Sequence, residues 1–126
     1  MEYAVDAAAN EAIDKLRAYV SQTWLSRGAT TIAVTSPIGD EGKAFAAFGL
    51  ASSLAQAGYK TLLVDFDLRE PALHAYAGVA NLAGVCELLR AETDMRALPG
   101  GATVRREIGT LDIGCRDDRR VLGVVR

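Results

Sequence analysis

The chain has 126 residues, of which 50% are hydrophobic and 24% are charged. This length suits one modest domain with a packed core and is too short for two. The formal net charge of −2 provides no bulk attraction to nucleic acid or to anionic lipid. No apolar run is long enough for direct insertion into a membrane, and no signal peptide opens the chain. The two cysteines lack metal-ligand spacing and are interpreted as reduced thiols, so we expect a cytoplasmic protein.

The first element in chain order is an amphipathic helix predicted over residues 10–26. Apolar residues such as Ile13 and Val20 recur there at helical spacing, with charged residues elsewhere on the helix. Asn10 is the predicted N-cap, and Gly28 follows the helix as a stop signal. This helix precedes the phosphate loop and both predicted strands.

Two apolar, β-branched runs predict buried strands over residues 29–35 and 60–66. Between them lie a loop at residues 36–43 and a helix predicted over residues 44–56. Strand, loop, helix and strand in this order form a βαβ unit, which is typical of an α/β protein with a parallel sheet. Ligands of such sheets bind beyond the carboxyl ends of the strands, where the loop and the end of the second strand should meet.

Later segments carry weaker signals. Pro71 is predicted to open a short helix through Tyr76, and a further short helix is predicted over residues 85–90. Residues 110–114 are interpreted as a third strand. The last segment, residues 116–126, matches no clear element.

The loop before the second predicted helix has features of a phosphate loop. In such loops the backbone N–H groups and the positive end of the helix bind phosphate, and a lysine reaches the β and γ phosphates. The candidate phosphate-binding residues are Gly39, Asp40, Glu41, Gly42, Lys43 and Ala44. The alternative is an ordinary strand-to-helix turn with a solvated lysine.

This loop departs from the general pattern at four positions. Ala44 stands where a serine or threonine should bind magnesium, and Phe45 follows where a second hydroxyl is common. Pro37 occupies the first glycine position, and the carboxylate of Asp40 would repel phosphate. Each lost charge-assisted contact costs roughly 1.5–3 kcal/mol, so we expect weakened phosphate binding.

Two acids, Asp65 and Asp67, end the second predicted strand. Strand alternation places both on the same side of the chain, where they suit magnesium or its bound waters. The alternative is that one of them merely caps the helix that Pro71 opens.

Together these motifs resemble the cytoplasmic domain of bacterial tyrosine kinases. This family includes polysaccharide co-polymerases of capsule and exopolysaccharide export and lies within the MinD/ParA branch of P-loop proteins. Residues 35–43 are similar to the family's phosphate loop, and residues 65–74 match its Walker A′ motif, Asp-x-Asp-x-Arg-x-Pro-x-Leu-His. The resemblance covers residues 10–90 and implies a P-loop NTPase-like three-layer sandwich with a parallel sheet.

The same resemblance implies specific roles and cofactors. ATP and Mg²⁺ are the implied cofactors, with Lys43 on the phosphates and Arg69 as a further nucleotide-binding residue. Asp65 and Asp67 are the implied catalytic and metal-binding acids. Because Ala44 lacks a hydroxyl, we expect weak Mg²⁺ binding and little or no phosphoryl transfer.

Two family features are not found after residue 91. The Walker B strand, which ends in Asp-Thr-Pro-Pro, has no match, so the sheet is predicted to be incomplete and to lack a central strand. The tyrosine-rich tail is absent as well, and the tail after Gly114 is interpreted as a frameshifted or truncated end. We therefore divide the chain into an N-terminal helix (1–27), a P-loop core (28–90) and a poorly defined C-terminal segment (91–126).

The resemblance also implies partners. Family members assemble in rings through a helix bearing Glu-x-x-Arg-x-x-Arg, for which this chain offers Glu11, Asp14 and Arg17. A homo-oligomer through residues 11–17 is one interpretation, and a solvated helix face is the other. The implied heterologous partner is a membrane polysaccharide co-polymerase, which would hold the domain at the inner face of the cell membrane.

Three functions remain open at this point. The first is a degenerate tyrosine-kinase-like ATP-binding subunit in exopolysaccharide synthesis or export. The second is a non-catalytic regulatory module that binds a co-polymerase or a sister kinase. The third is a partition ATPase of the MinD/ParA type, although those proteins carry a signature lysine where Ile38 stands here.

Overall fold

The computed structural model describes residues 6–29, 31–39, 41–78, 85 and 90, and the backbone of three strands between residues 102 and 124. In chain order the elements are α1 (Ala7–Thr23), a 3-10 helix (Leu25–Arg27), β1 (Thr31–Val34), α2 (Lys43–Gln56), β2 (Thr61–Asp65), α3 (Leu73–Ala77), β3 (Ala102–Arg106), β4 (Gly109–Ile113) and β5 (Arg120–Val124). Within these ranges no helix is both long and apolar enough to cross a bilayer. Of the helix predicted over residues 85–90, residues 86–89 lie outside the described residues.

The five strands form one sheet in the order β1-β5-β2-β4-β3. β1, β5, β2 and β4 run parallel, and only β3 at the edge is antiparallel to its neighbour. Val34 of β1 and Asp65 of β2 both pair with Val124 of β5. The carboxyl ends of β1 and β2 are therefore level and two strand spacings apart, about 10 Å. This register brings the loop after β1 and the acids of β2 to one edge of the sheet.

β5 corrects two predictions about the end of the chain. The interpretation of residues 116–126 as matching no element is wrong, because Arg120–Val124 forms a strand. The expectation that the sheet lacks a central strand is wrong as well, because β5 lies between β1 and β2. The run Val-Leu-Gly-Val-Val at residues 121–125 has the apolar, β-branched character that suits a strand with parallel neighbours on both sides. The Asp-Thr-Pro-Pro motif itself does not occur in the sequence.

α2 packs against the sheet, and α1 and α3 pack against α2. The core cluster contains the buried residues Val20, Leu25, Ala47, Leu50, Ala51, Leu54, Ala55, Leu63 and Leu73. α1 approaches α2 closely at Gly49, where a Cβ atom would lie 3.0 Å from Cδ1 of Ile13. The hydroxyl of Ser53 donates a hydrogen bond of 2.6 Å to Asp14 Oδ1 across the same helix pair. These contacts fix the helix that begins at the phosphate loop.

β1 is less buried than its β-branched sequence predicts. Thr31 and Ala33 are exposed, whereas Ile32 and Val34 are half-buried and pack against the core. The alternation arises because successive side chains of a strand point to opposite faces, and α2 lies against only one of them. The prediction of a buried strand is therefore wrong for one face of β1.

α1 begins three residues before its predicted start. Asp6, not Asn10, is the N-cap, and its side chain accepts a hydrogen bond of 3.3 Å from the Ala8 N–H. An aspartate caps a helix well, and alanine has the highest helix propensity, so the alanines after Asp6 extend the helix toward the N-terminus. The bounds predicted for α2 and for the third strand are confirmed to within one residue.

Candidate functional site

A cleft of about 370 Å³ opens at the carboxyl edge of the sheet, between the start of α2 and the segment that follows β2. Its lining residues are Gly39, Glu41, Gly42, Lys43, Ala44, Asp65, Asp67, Glu70, Ala72 and Tyr76. Lys43 and both predicted acids thus lie in one cleft, as expected for a βαβ unit whose loop and strand end at one edge. Asp40, also predicted to bind phosphate, lies outside the described residues.

The phosphate-loop backbone turns into α2 at Gly42. This glycine is the N-cap and has a φ of 81°, in the left-handed region that other residues rarely adopt. The first helical hydrogen bond runs from the Ala46 N–H to the Gly42 carbonyl, at 2.9 Å. No side chain caps the helix. The N–H groups of its first turn, at Lys43 and Ala44, are therefore available to an anion in the cleft.

Lys43 is the first residue of α2 and is half-buried in the cleft wall. It makes no ion pair within 4.0 Å with any other residue that the structure describes. The nearby Glu41 turns back on the loop, where its Oε2 accepts a 3.4 Å hydrogen bond from the Ile38 N–H. The ammonium group of Lys43 is thus available to a ligand.

Asp65 is held by the backbone of the segment that follows it. Its Oδ1 accepts from the Asp67 N–H at 2.9 Å, and its Oδ2 accepts from the N–H groups of Ala72 and Leu73, both at 3.0 Å. The last two bonds satisfy N–H groups at the start of α3. α3 consequently begins at Leu73, two residues after the predicted start at Pro71.

Asp67 is bound more loosely. Its Oδ1 accepts one exposed hydrogen bond of 3.1 Å, from the Glu70 N–H. No described residue donates to its Oδ2. Asp67 thus presents to the cleft an oxygen that accepts from no described residue, whereas both oxygens of Asp65 accept N–H groups.

The described lining of the cleft is acidic. It carries the carboxylates Glu41, Asp65, Asp67 and Glu70 against the single ammonium of Lys43. Like charges at close range repel a polyanion even in a partly solvated site. A phosphate ligand would therefore bind better with a cation than without one.

Three residues around the cleft differ between the candidates from the sequence and the lining in the structure, and the binding role of Arg69 stays a prediction. Arg69, predicted to bind nucleotide, is exposed and is not among the lining residues. Glu70 and Tyr76, which were not predicted, do line the cleft. The ring of Tyr76 packs against Phe45 and Phe48 of α2, with centroids 6.4 and 6.0 Å apart. Its position three residues after an apolar residue on a predicted helix is the signal that could have indicated this packing.

Comparison with known proteins agrees with this geometry. The model of the CobQ/CobB/MinD/ParA nucleotide binding domain matches residues 32–125. The tyrosine-protein kinase YwqD of Bacillus subtilis (strain 168) is 32% identical over 80 residues, which are 64% of the chain and 34% of YwqD. The succinoglycan biosynthesis transport protein ExoP of Rhizobium meliloti (strain 1021) is 35% identical over 91 residues, which are 71% of the chain and 11% of ExoP.

The same fold occurs in the kinase domain of the Escherichia coli tyrosine kinase ETK. The TM-score is 0.75 at 21% sequence identity, and the match covers 96% of the chain and 57% of that domain. The chain thus spans only 34% of the length of YwqD and 11% of that of ExoP. It belongs to the CobQ/CobB/MinD/ParA nucleotide binding domain family, as its phosphate loop and Walker A′ motif predict, and resembles the bacterial tyrosine kinases within that family.

Proposed function

We propose that the chain is an ATP-binding, tyrosine-kinase-like domain that acts in the synthesis or export of exopolysaccharide. The observation that carries this proposal is the position of Lys43 on the first turn of α2, in one cleft with Asp65 and Asp67. An uncapped helix start and an ammonium group are suited to the β and γ phosphates of a nucleotide. The similarity to YwqD and ExoP supports the assignment to tyrosine kinases and polysaccharide export.

Among the described residues of the cleft, Asp67 suits magnesium well. Mg²⁺ keeps several of its waters and is commonly bound through one or two carboxylates together with substrate phosphates. The free oxygen of Asp67 suits such a hydrated ion, whereas Ala44 has no oxygen in its side chain and Asp65 already accepts three N–H groups. Bound in this manner, the ion would neutralise phosphate charge. Lys43 and the N–H groups of α2 would orient the phosphates.

We further propose that phosphoryl transfer is weak or absent. Such transfer depends almost entirely on positioning and on charge stabilisation by metal ions and lysine. Here the hydroxyl ligand is replaced by Ala44, and the sequence lacks the Asp-Thr-Pro-Pro motif.

We also propose that this domain is a three-layer sandwich and that it lies in the cytoplasm.

Calorimetry with ATP, with and without Mg²⁺, tests the binding proposal. We expect a Kd of about 0.1–1 mM with Mg²⁺ and about tenfold weaker binding in EDTA, because the cleft is acidic. In a parallel assay with radiolabelled ATP, we expect no phosphotyrosine above background. Robust tyrosine phosphorylation would contradict the proposed loss of catalysis, and absence of any binding heat would contradict ATP binding.

A second candidate function is a non-catalytic regulatory module that binds a membrane polysaccharide co-polymerase or a sister kinase. Ala44 in the cleft wall favours this second candidate, because alanine at this position provides no metal ligand and leaves the fold intact. Self-assembly through residues 11–17 is less favoured, because Asp14 is engaged within the chain by Ser53. The regulatory-module proposal would be supported if the chain binds no ATP and is captured by the cytoplasmic part of a co-polymerase.

The substitution Ala44→Ser should restore part of the missing magnesium site. The serine hydroxyl would stand directly after Lys43, at the position that the general phosphate-loop pattern uses for the metal. We expect about tenfold tighter ATP binding in Mg²⁺ and less than about twofold change in EDTA, since one added metal contact is worth about 1.4 kcal/mol. Calorimetry of both proteins measures this. The matched control is Ala46→Ser, which adds a hydroxyl on the same helix outside the cleft lining. Equal gains in both variants would contradict a role for position 44.

A further inference from the structure

We propose that the two acids at the end of β2 have different tasks. Asp65 is a positioning residue that holds α3 and the turn after β2 in place. Asp67 is the acid that faces the cation accompanying the nucleotide phosphates. This division rests on the proposed nucleotide binding. It keeps the metal role for one acid only and gives the other the helix-capping role that the sequence offered as an alternative.

The hydrogen bonds of Asp65 carry the first half of the inference. Both of its oxygens accept backbone N–H groups, at 2.9 and 3.0 Å, from residues two, seven and eight positions further along the chain. Charged acceptors make stronger hydrogen bonds than neutral ones. Three of the roughly four lone-pair sites of this carboxylate are thus used by the fold, which leaves little capacity for a metal ion.

The elements that Asp65 connects explain why its position matters for the cleft. Leu73, which donates to it, is 1% exposed and belongs to the core. One turn later, Tyr76 lines the cleft and packs against Phe45 and Phe48, near the phosphate end of α2. Asp65 therefore links the end of β2, through α3, to the helix that begins with Lys43.

Asp67 has the opposite character. It makes a single exposed hydrogen bond within the part of the chain that the structure describes, and its backbone N–H is fixed by Asp65. Its second oxygen is available to a ligand in a cleft where carboxylates outnumber ammonium groups. Asp65 uses three of its roughly four lone-pair sites on backbone N–H groups and Asp67 uses one, so Asp67 is the acid better placed to accept a cation or its waters.

The test compares Asp65→Asn with Asp67→Asn in the full chain. Each variant removes one negative charge from the same cleft, so the general electrostatic effect on an anionic nucleotide is matched. Three quantities are measured: the melting temperature, the exchange rates of the Ala72 and Leu73 amides, and the ratio of the Kd for ATP in EDTA to that in Mg²⁺. Asp65→Glu is a further variant, which keeps the charge and displaces the carboxylate by one methylene.

We expect Asp65→Asn to lower the melting temperature by about 5 °C and to speed exchange of the two amides at least about tenfold. Its Kd ratio should stay within about twofold of that of the unmodified chain, because a positioning defect weakens binding equally with and without the metal. Asp65→Glu should behave in the same way. Asp67→Asn should change the melting temperature by less than about 2 °C and bring the Kd ratio close to 1.

The inference is overturned if Asp65→Asn abolishes the Mg²⁺ effect at an unchanged melting temperature, or if Asp67→Asn retains that effect. A chain that binds no ATP at all would refute the proposed function and the role of Asp67 together. The melting temperatures and the amide exchange rates would still decide the role of Asp65. If Asp65→Asn does not fold, the Kd ratio and the amide exchange of Asp65→Glu decide it.

Discussion

Replacing Lys43 with alanine should raise the Kd for ATP by about ten- to a hundredfold. A charge-assisted hydrogen bond to phosphate is worth about 1.5–3 kcal/mol, and each 1.4 kcal/mol is a factor of ten in affinity. Fold stability should not change, because Lys43 forms no ion pair with another described residue and alanine is the best helix former. Calorimetry with Mg²⁺ and ATP, together with a melting curve, measures both effects.

The matched control for this variant is Lys60→Ala. Lys60 is exposed just before β2 and does not line the cleft, so its removal takes away the same charge without touching the proposed site. We expect less than about a twofold change in Kd, since solvent and salt screen exposed charges that are far apart. If the two lysine variants lose equal affinity, ATP is held by general electrostatics, and the assignment of Lys43 fails.

The substitution Leu63→Ala should produce the largest loss of stability among the variants considered. Leu63 lies on β2, is 0% exposed and packs in the core cluster. Truncating a buried leucine costs about 2–5 kcal/mol, because transfer free energy is lost and a cavity remains. A domain is stable by only about 5–15 kcal/mol, so we expect the melting temperature to fall by about 10 °C.

Leu68→Ala is the same chemical change at a site that is 48% exposed. Its cost should be below about 1 kcal/mol, because surface substitutions remove little buried area. Thermal unfolding of both variants by circular dichroism measures the difference. Equal losses of stability in the two variants would contradict the assignment of Leu63 to the core that packs against β2.

The cleft is compatible with the proposal that nucleotide binding is retained while phosphoryl transfer is weakened. Lys43 and the uncapped start of α2 are intact, and they require only the backbone turn at Gly42. The metal side of the cleft has changed, because Ala44 offers no oxygen. The predictions for Lys43 and Ala44 test phosphate binding and metal binding separately.

Local sequence signals were sufficient to predict the βαβ unit and the position of the cleft. Apolar runs bounded by glycine and proline predicted β1, α2 and β2, because strand and helix periodicities are short-range properties. The meeting of Lys43 with Asp65 and Asp67 could also be predicted, because parallel strands joined by a helix present their carboxyl ends at one edge. The match of the family model to residues 32–125 agrees with this interpretation.

Only the tertiary structure decided the place of the last strand and the different hydrogen bonding of the two acids. Arg120–Val124 lies between β1 and β2 although its sequence neighbour β4 lies beyond β2, and strand order depends on long-range pairing that no local pattern encodes. Alternation along the predicted strand makes Asp65 and Asp67 equivalent, and they differ because the backbone N–H groups of Ala72 and Leu73 fold back onto one of them. Hydrogen bonds between residues seven and eight positions apart arise from the path of the chain in space, which is why the sequence by itself left the two acids indistinguishable.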